Sequence, residues 1–387
     1  MKQYFINIKN SFKLKNYLNY FIVLAVFAVF TSLYYTDGLN RSTPTLLNEI
    51  AYKIILAVSL NLVVGFLGEL SLGHAGFMCV GAYIGTFLAN ILLKAGIGNV
   101  LAVVISIVVG GMFAAVFGFV VGLPALRLKG DYLAIVTLAF GEIVRNICRN
   151  IGIFGGARGL ESSAYEANLY NKSVPLFLIT FVLLFVMLIV VQNLVRSKHG
   201  RSITAIRDNE IAARAMGVNV TYYKIMVFVI AAFFAGAAGA VYGASVSPVE
   251  YSTFDYNYSI EILVMVVLGG MSSVNGSMIA ATIITVLNFY LKNYLSEVAY
   301  VKTLVYALIL IIMVIYKNAP ALRSFREKYN LRNLIAKFRK HDPSKETNDQ
   351  GRWDRVPTKI SMNEVLSTDI VVKESSSAKG DKGGKVE

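Results

Sequence analysis

The sequence predicts an all-α membrane protein: a polytopic helix bundle of about ten spans followed by a disordered basic tail. Three observations carry this prediction. The chain of 387 residues is 56% apolar and only 16% charged, too little charge to cover a soluble domain of that size. Apolar runs of about 18 residues or more, the length that crosses a bilayer core, recur along it. The formal charge of +14 collects in the N-terminal segment, a few short loops and the tail. That is the distribution the positive-inside rule produces, and it argues against a nucleic-acid partner.

Taken in order, Lys2, Lys9, Lys13 and Lys15 place residues 1–19 on the cytoplasmic side, and residues 20–316 form the membrane domain. Tyr20–Tyr35 reads as an uncleaved first span, since no cleavage site stands out after it. The second span is Leu46–Leu67, and the break GELSLGHAG returns the chain into a Gly-rich third span ending near Leu93. The fourth is Asn99–Leu123, turned inside by RLKGD, and the fifth is Tyr132–Ile147. The sixth, Val174–Val195, leads into a basic loop at residues 196–221 that lies inside. The seventh is Tyr222–Val246, the eighth a short Asn257–Leu268 ending at GGMSSVNG, the ninth Ser277–Leu295 and the tenth Val298–Tyr316. About eight or nine spans follow instead if the third or the eighth is re-entrant. Both termini are then cytoplasmic.

Residues 317–340 carry Leu322, Phe325, Tyr329, Leu334, Ile335 and Phe338 at helical spacing among Arg and Lys. They read as a basic amphipathic helix on anionic lipid, or as an ordinary solvated helix. Residues 341–387 have no periodicity and read as disordered. A weak echo links LGELS at Leu67–Ser71 with LGGMS at Leu268–Ser272. Internal repeats with broken helices mark transporter paths, and chance similarity between two Gly-rich breaks explains it equally well.

No enzyme constellation is visible. His74, His199 and His341 have no partner at metal-ligand spacing, and Cys79 and Cys148 read as packing. There is neither a nucleophile elbow nor a phosphate loop, so no cofactor is expected on this chain, and any ATP must be bound by another. Charges inside spans are costly and therefore informative. Glu49 and Lys53 stand at i,i+4, Glu142 and Arg145 at i,i+3, and Glu261 lies early in the eighth span. Candidate pathway residues are Asn61, Ser71, His74 and Gly76 around the first break, together with Glu142. The alternative there is tight helix packing with Ser71 capping the third span.

The run GRSITAIRDNEIAARAMGVN is polar between two apolar spans. Asp208 is suited to cap a helix starting at Asn209, Glu210 favours its first turn, Arg214 pairs with Glu210, and Gly217 ends it. An earlier turn, Arg201–Arg207, precedes it. So short a helix needs a surface to pack on. Its small residues, Ala212, Ala213, Ala215, Met216 and Gly217, are the expected contact, with the charges as rim and cap.

IAARAMG, with Ala-Ala, three residues and Gly, resembles the coupling loop of bacterial ABC importer permeases, with Ile211 where the strict loop has Glu. LNLVVGFLGELSLGHAGFMCVGAY, RLKGDYLAIVTLAFGEIVRNI, GGARGL, HGRSITAIRDNEIAARAMGVNV and VLGGMSSVNGSMIAA together resemble M-type permeases of branched-chain amino acid ABC transporters. The resemblance covers Asn48 to Tyr316, and the tail matches nothing nameable. It implies a subunit of an ATP-driven importer in a bacterial plasma membrane, moving leucine, isoleucine and valine by alternating access. It implies as partners an H-type permease, two cytoplasmic ATPase subunits carrying ATP and Mg, an extracytoplasmic binding protein and the surrounding lipid. The ATPase-coupling residues would be Arg201, Arg207, Asp208, Glu210, Ala212, Ala213, Arg214, Met216 and Gly217. A permease for urea or another small polar solute and an ion-coupled secondary transporter are the alternatives.

Overall fold

The computed structural model describes residues 43–125, 130–170 and 176–294, with isolated positions outside them. The expected N-terminal segment, the first and tenth spans, and the tail from residue 317 lie outside the described residues, apart from isolated positions in the two spans. Among the described residues there is no strand, only an isolated bridge between Leu160 and Val249.

The elements are α1 (Thr43–Asn61), running straight into a π-helical segment Leu62–Leu67, then α2 (His74–Lys94), α3 (Asn99–Ala125) and α4 (Asp131–Asn150). They continue as α5 (Ser163–Tyr170), α6 (Leu176–Arg196), α7 (Lys198–Asp208) and α8 (Glu210–Ala215), then α9 (Val220–Ser245), α10 (Tyr256–Gly269) and α11 (Val274–Tyr294). Six of these stretches are long and apolar enough to cross a membrane: Thr43–Leu67, α2, α3, α6, α9 and the first 18 residues of α11. The other two expected spans differ for physical reasons. Helix α4 is 20 residues long but carries Asp131, Glu142, Arg145 and Arg149. Helix α10 has 14 residues, about 21 Å at the α-helical rise, against a hydrocarbon core of about 30 Å.

Burial sorts the helices into inner and outer. In the Thr43–Leu67 stretch 89% of the most apolar window is buried, so it runs through the middle of the bundle. Helices α3 and α6 bury only 39% of theirs. Their exposed residues, Val104, Val108, Met112 and Val116 on α3, and Val182 and Val186 on α6, are apolar rows suited to lipid or to another membrane subunit. Helix α9 packs most extensively against α3 and α2.

These three helices approach closely because small residues line their contacts. A Cβ on Gly81 would stand 1.9 Å from the Gly236 carbonyl oxygen. Without a hydrophobic drive inside lipid, such backbone-to-backbone packing supplies the association energy. At one end of the bundle the loops are tied together. Leu160 and Val249 exchange hydrogen bonds of 3.0 and 2.8 Å. Asn90 donates to the Glu161 carbonyl at 2.7 Å and accepts from the Ser163 N–H at 2.9 Å.

Candidate functional site

The opposite end holds α7, α8 and the two helix breaks. Ser197 caps α7, accepting from the Gly200 N–H at 3.3 Å. Helix α7 is longer than the single turn expected and extends through Asp208, so the first non-helical residue is Asn209. Asn209, not Asp208, therefore caps α8, accepting from the Ala212 N–H at 3.0 Å. Asp208 instead accepts from its neighbour Arg207 at 2.8 and 3.0 Å. At the other end Gly217 takes φ 82°. Gly217 N–H donates to Arg214 O at 3.0 Å and Val218 N–H to Ala213 O at 3.1 Å, the paired bonds that end a helix with a left-handed glycine. Arg214 meets Glu210 at 2.8 Å, as the spacing predicts.

The expected contact surface divides. Ala213 is buried within the chain, whereas Ala212, Ala215, Met216 and Gly217 face outward. Ile211 joins them, with Ile211 78% and Met216 84% exposed. Arg201 is exposed. On its inner face α7 buries Gly200, Ile203 and Ile206.

Two cations on this end do more than form a rim. Arg207 Nη1 donates to Ser272 Oγ at 2.7 Å and to the Gly65 carbonyl at 3.3 Å, so one side chain of α7 touches both helix breaks. Lys224, in the second turn of α9, bonds Glu69 of the first break and Glu210 Oε2 of α8, the latter at 3.2 Å. Its side chain is only 4% exposed, a burial an ammonium tolerates because two carboxylates meet it. Sequence reasoning missed Lys224. A lysine at the edge of a span reads as an ordinary inside charge, and its partner Glu69 is 155 positions away.

The second break meets the end of α1 and the π-helical segment that lead into the first. Asn61, fully buried, donates to Ser273 O at 3.1 Å and to Ser277 Oγ at 2.9 Å, and accepts from the Ser272 N–H at 3.1 Å. Ser272 Oγ donates to the Gly65 carbonyl at 2.5 Å. Ser272 holds φ 65°, a conformation that disfavours an L residue and persists only where the surroundings impose it. The π-helical turns at Leu62–Leu67 adjoin this junction, and such segments recur at functional positions.

The other pathway candidates separate. Ser71 does not cap α2: that helix starts at His74 after Gly73, and the Ser71 hydroxyl is buried with no hydrogen-bond partner. The N–H groups here go elsewhere, Leu72 to Thr137 Oγ1 and Ala75 to Ser259 Oγ, each at 3.1 Å. His74 Nε2 lies 2.8 Å from Ser59 Oγ, which itself lies 3.0 Å from the Leu56 carbonyl. With that hydroxyl proton given to Leu56, Nε2 carries the imidazole hydrogen. Gly76 is a packing position, where an added Cβ would stand 2.7 Å from Gly141 Cα. Glu142 pairs with Arg145 at 2.7 Å. At the far end of α1, Lys53 meets Glu49 and also Glu261, both at 3.1 Å; the local pair was expected, the third member was not. Among the described residues no group of His, Cys, Asp and Glu could hold a metal ion.

Comparison with known proteins places this geometry. Residues 42–314 match the family described as branched-chain amino acid transport system / permease component. The high-affinity branched-chain amino acid transport system permease protein LivM of Escherichia coli K12 is 33% identical over 326 residues, covering 77% of this chain and 74% of that one. LivM of Salmonella typhimurium is 36% identical over 269 residues, covering 62% and 61%. The LivH permease of Salmonella typhimurium is more distant, 20% identical over 276 residues, covering 67% and 88%. With a family match across most of its length and apolar helices repeatedly long enough to cross a bilayer, the chain is a multi-pass membrane protein of the branched-chain amino acid transport permease family.

Proposed function

We propose that this chain is the M-type membrane subunit of an ATP-driven importer that carries branched-chain amino acids, leucine, isoleucine and valine, by alternating access. It pairs with an H-type permease. Two ATPase subunits, carrying ATP and Mg, dock on the outward face of α7 and α8, and a binding protein delivers the amino acid on the opposite side of a bacterial plasma membrane. The observation that carries this reading is the double tie of the α7–α8 hairpin to both helix breaks through Arg207 and Lys224. A hairpin fastened in this way moves with the breaks as one lever, and a lever needs a motor on its free face. Ile211, Ala212, Ala215 and Met216 offer that face, small and apolar at the centre. Arg201, Arg214 and Asp208 supply charge around it. Alternating access then amounts to two packings of the breaks, selected by the hairpin's position.

The test is purification of the chain with its neighbours and uptake in vesicles. Two ATPase subunits and a second permease should co-purify, and labelled leucine should accumulate only with ATP. Uptake that survives ATP depletion and collapses with the proton gradient would instead support an ion-coupled transporter. ATP-driven uptake of urea with none of leucine would move the reading to a small polar solute.

A further inference from the structure

Lys53 is a cation inside the most buried of the six apolar stretches, its own side chain only 5% exposed. It has two carboxylate partners, Glu49 one turn back on α1 and Glu261 on α10, each at 3.1 Å. An ionisable group within a span is costly, and an ion pair taken out of water adds little net stability over apolar packing of the same volume. The two pairs differ in what they hold. The Glu49 pair lies within one helix and joins α1 to nothing else. The Glu261 pair fastens α1 to α10.

These segments meet a second time about 12 Å further along α1, where Asn61 bonds Ser272 and Ser273 just after α10. Both contacts are closed here, one toward the hairpin and one away from it. The other contacts around Lys53 are of a different kind. The Tyr52 ring packs on Tyr242 of α9 at 5.9 Å, Tyr242 on Phe254 at 5.6 Å, and Phe254 on Tyr83 of α2 at 6.2 Å. Those rings hold α1, α9 and α2 together by apolar packing, which water penalises. An ionic contact is one that water can take over, and the carboxylates are already within its reach, with the Glu49 side chain 29% and that of Glu261 19% exposed. Separating α10 from α1 leaves Lys53 paired with Glu49 and lets Glu261 hydrate, so neither charge is stranded.

We infer that the Lys53–Glu261 pair is a gate across the seam between α1 and α10, at the end of the bundle that faces the binding protein. It is closed in this structure and opens during transport, while Glu49 keeps Lys53 paired. The inference rests on the transport reading above and adds where the path opens to the delivered amino acid.

The test uses the complete transporter in vesicles and a membrane-impermeant thiol reagent applied from the binding-protein side. Ala57→Cys is the reporter, since Ala57 is fully buried one turn beyond Lys53 on the same face of α1. Each variant without the reporter is its own blank, which accounts for Cys79 and Cys148. With Glu261→Gln the reporter should react at least about tenfold faster than with the native pair, because the thiol becomes exposed. With Glu49→Gln its rate should stay within about twofold of the native one, because the interhelical pair remains. Equal acceleration by the two substitutions, or none by Glu261→Gln, would overturn the inference. The second measurement leaves the pair intact. During ATP-driven turnover with loaded binding protein the reporter should react at least about fivefold faster than at rest. A rate that turnover does not change, in a complex that imports leucine, would make the pair a fixed strut and would also overturn the gate. Absence of ATP-driven leucine uptake by the wild-type complex would overturn the transport reading itself, and the resting rates would still report whether this pair closes the seam.

Discussion

At the residue scale, Lys224 is the most consequential side chain outside the expected set. Removing its ammonium leaves Glu69 facing a buried site without its cation, while Glu210 keeps Arg214. Breaking a buried pair costs about 3–5 kcal/mol, and the partly exposed carboxylates here bring that down to roughly 2 kcal/mol. Lys224→Met should therefore lower the thermal stability of the purified chain, and adding Glu69→Gln should recover part of the loss. An additive double variant would remove the proposed link between the two residues. Cap identity is separable in the same way. Asn209→Ala should cost about 1 kcal/mol of α8 stability, roughly fivefold faster amide exchange at Ala213 to Met216, whereas Asp208→Ala should cost far less. The local grammar of α8 was legible: Glu210, Arg214 and Gly217 sit where spacing puts them. Asp208 and Asn209 are equally good caps, and only the length of α7 decides between them, a property set by the burial of Ile203 and Ile206 rather than by the capping residues.

Most of the fold was readable as elements, because a bilayer demands about twenty apolar residues per crossing and the sequence has to display them. The seventh span and α9 agree within a few residues. What lay beyond reach depends on distant partners. The π-helical turns at Leu62–Leu67 adjoin Asn61 and Gly65, whose partners in the second break lie more than 200 positions away. Ser71 looked like a cap because serine before a Gly-rich run usually is one, but the chain needs Gly73 to pass Thr137 closely, and the helix starts after it. A Cβ on Gly73 would stand 2.0 Å from the Thr137 carbonyl oxygen. The glycine contacts give the prediction at this scale. Gly81→Leu should separate α2 from α9, so that the chain still enters the membrane but no longer leaves detergent columns as one monodisperse species. A well-behaved Gly81→Leu protein would show that the close approach at Gly236 is dispensable.

For the whole molecule, the two ends of the bundle are built differently. One end is a network of loops around Leu160, Val249 and Asn90. The other couples an exposed two-helix hairpin to a pair of helix breaks that share Asn61, Gly65 and Ser272. The internal echo between LGELS and LGGMS was visible as five positions of similarity, whereas the contact itself falls on Asn61 and Gly65, just before the first of them. The charges that made the hairpin conspicuous in sequence turn out to serve two purposes, with Arg214 and Asp208 outside while Arg207 and Glu210 reach inward. The central claim is that this inward pair of ties carries motion from the ATPase side to the breaks. The measurement that tests it most directly is leucine imported per ATP hydrolysed by the reconstituted complex bearing Arg207→Ala together with Lys224→Met. The account predicts an assembled complex in which hydrolysis continues and import per ATP falls at least about tenfold. An unchanged ratio in a fully assembled complex would contradict it.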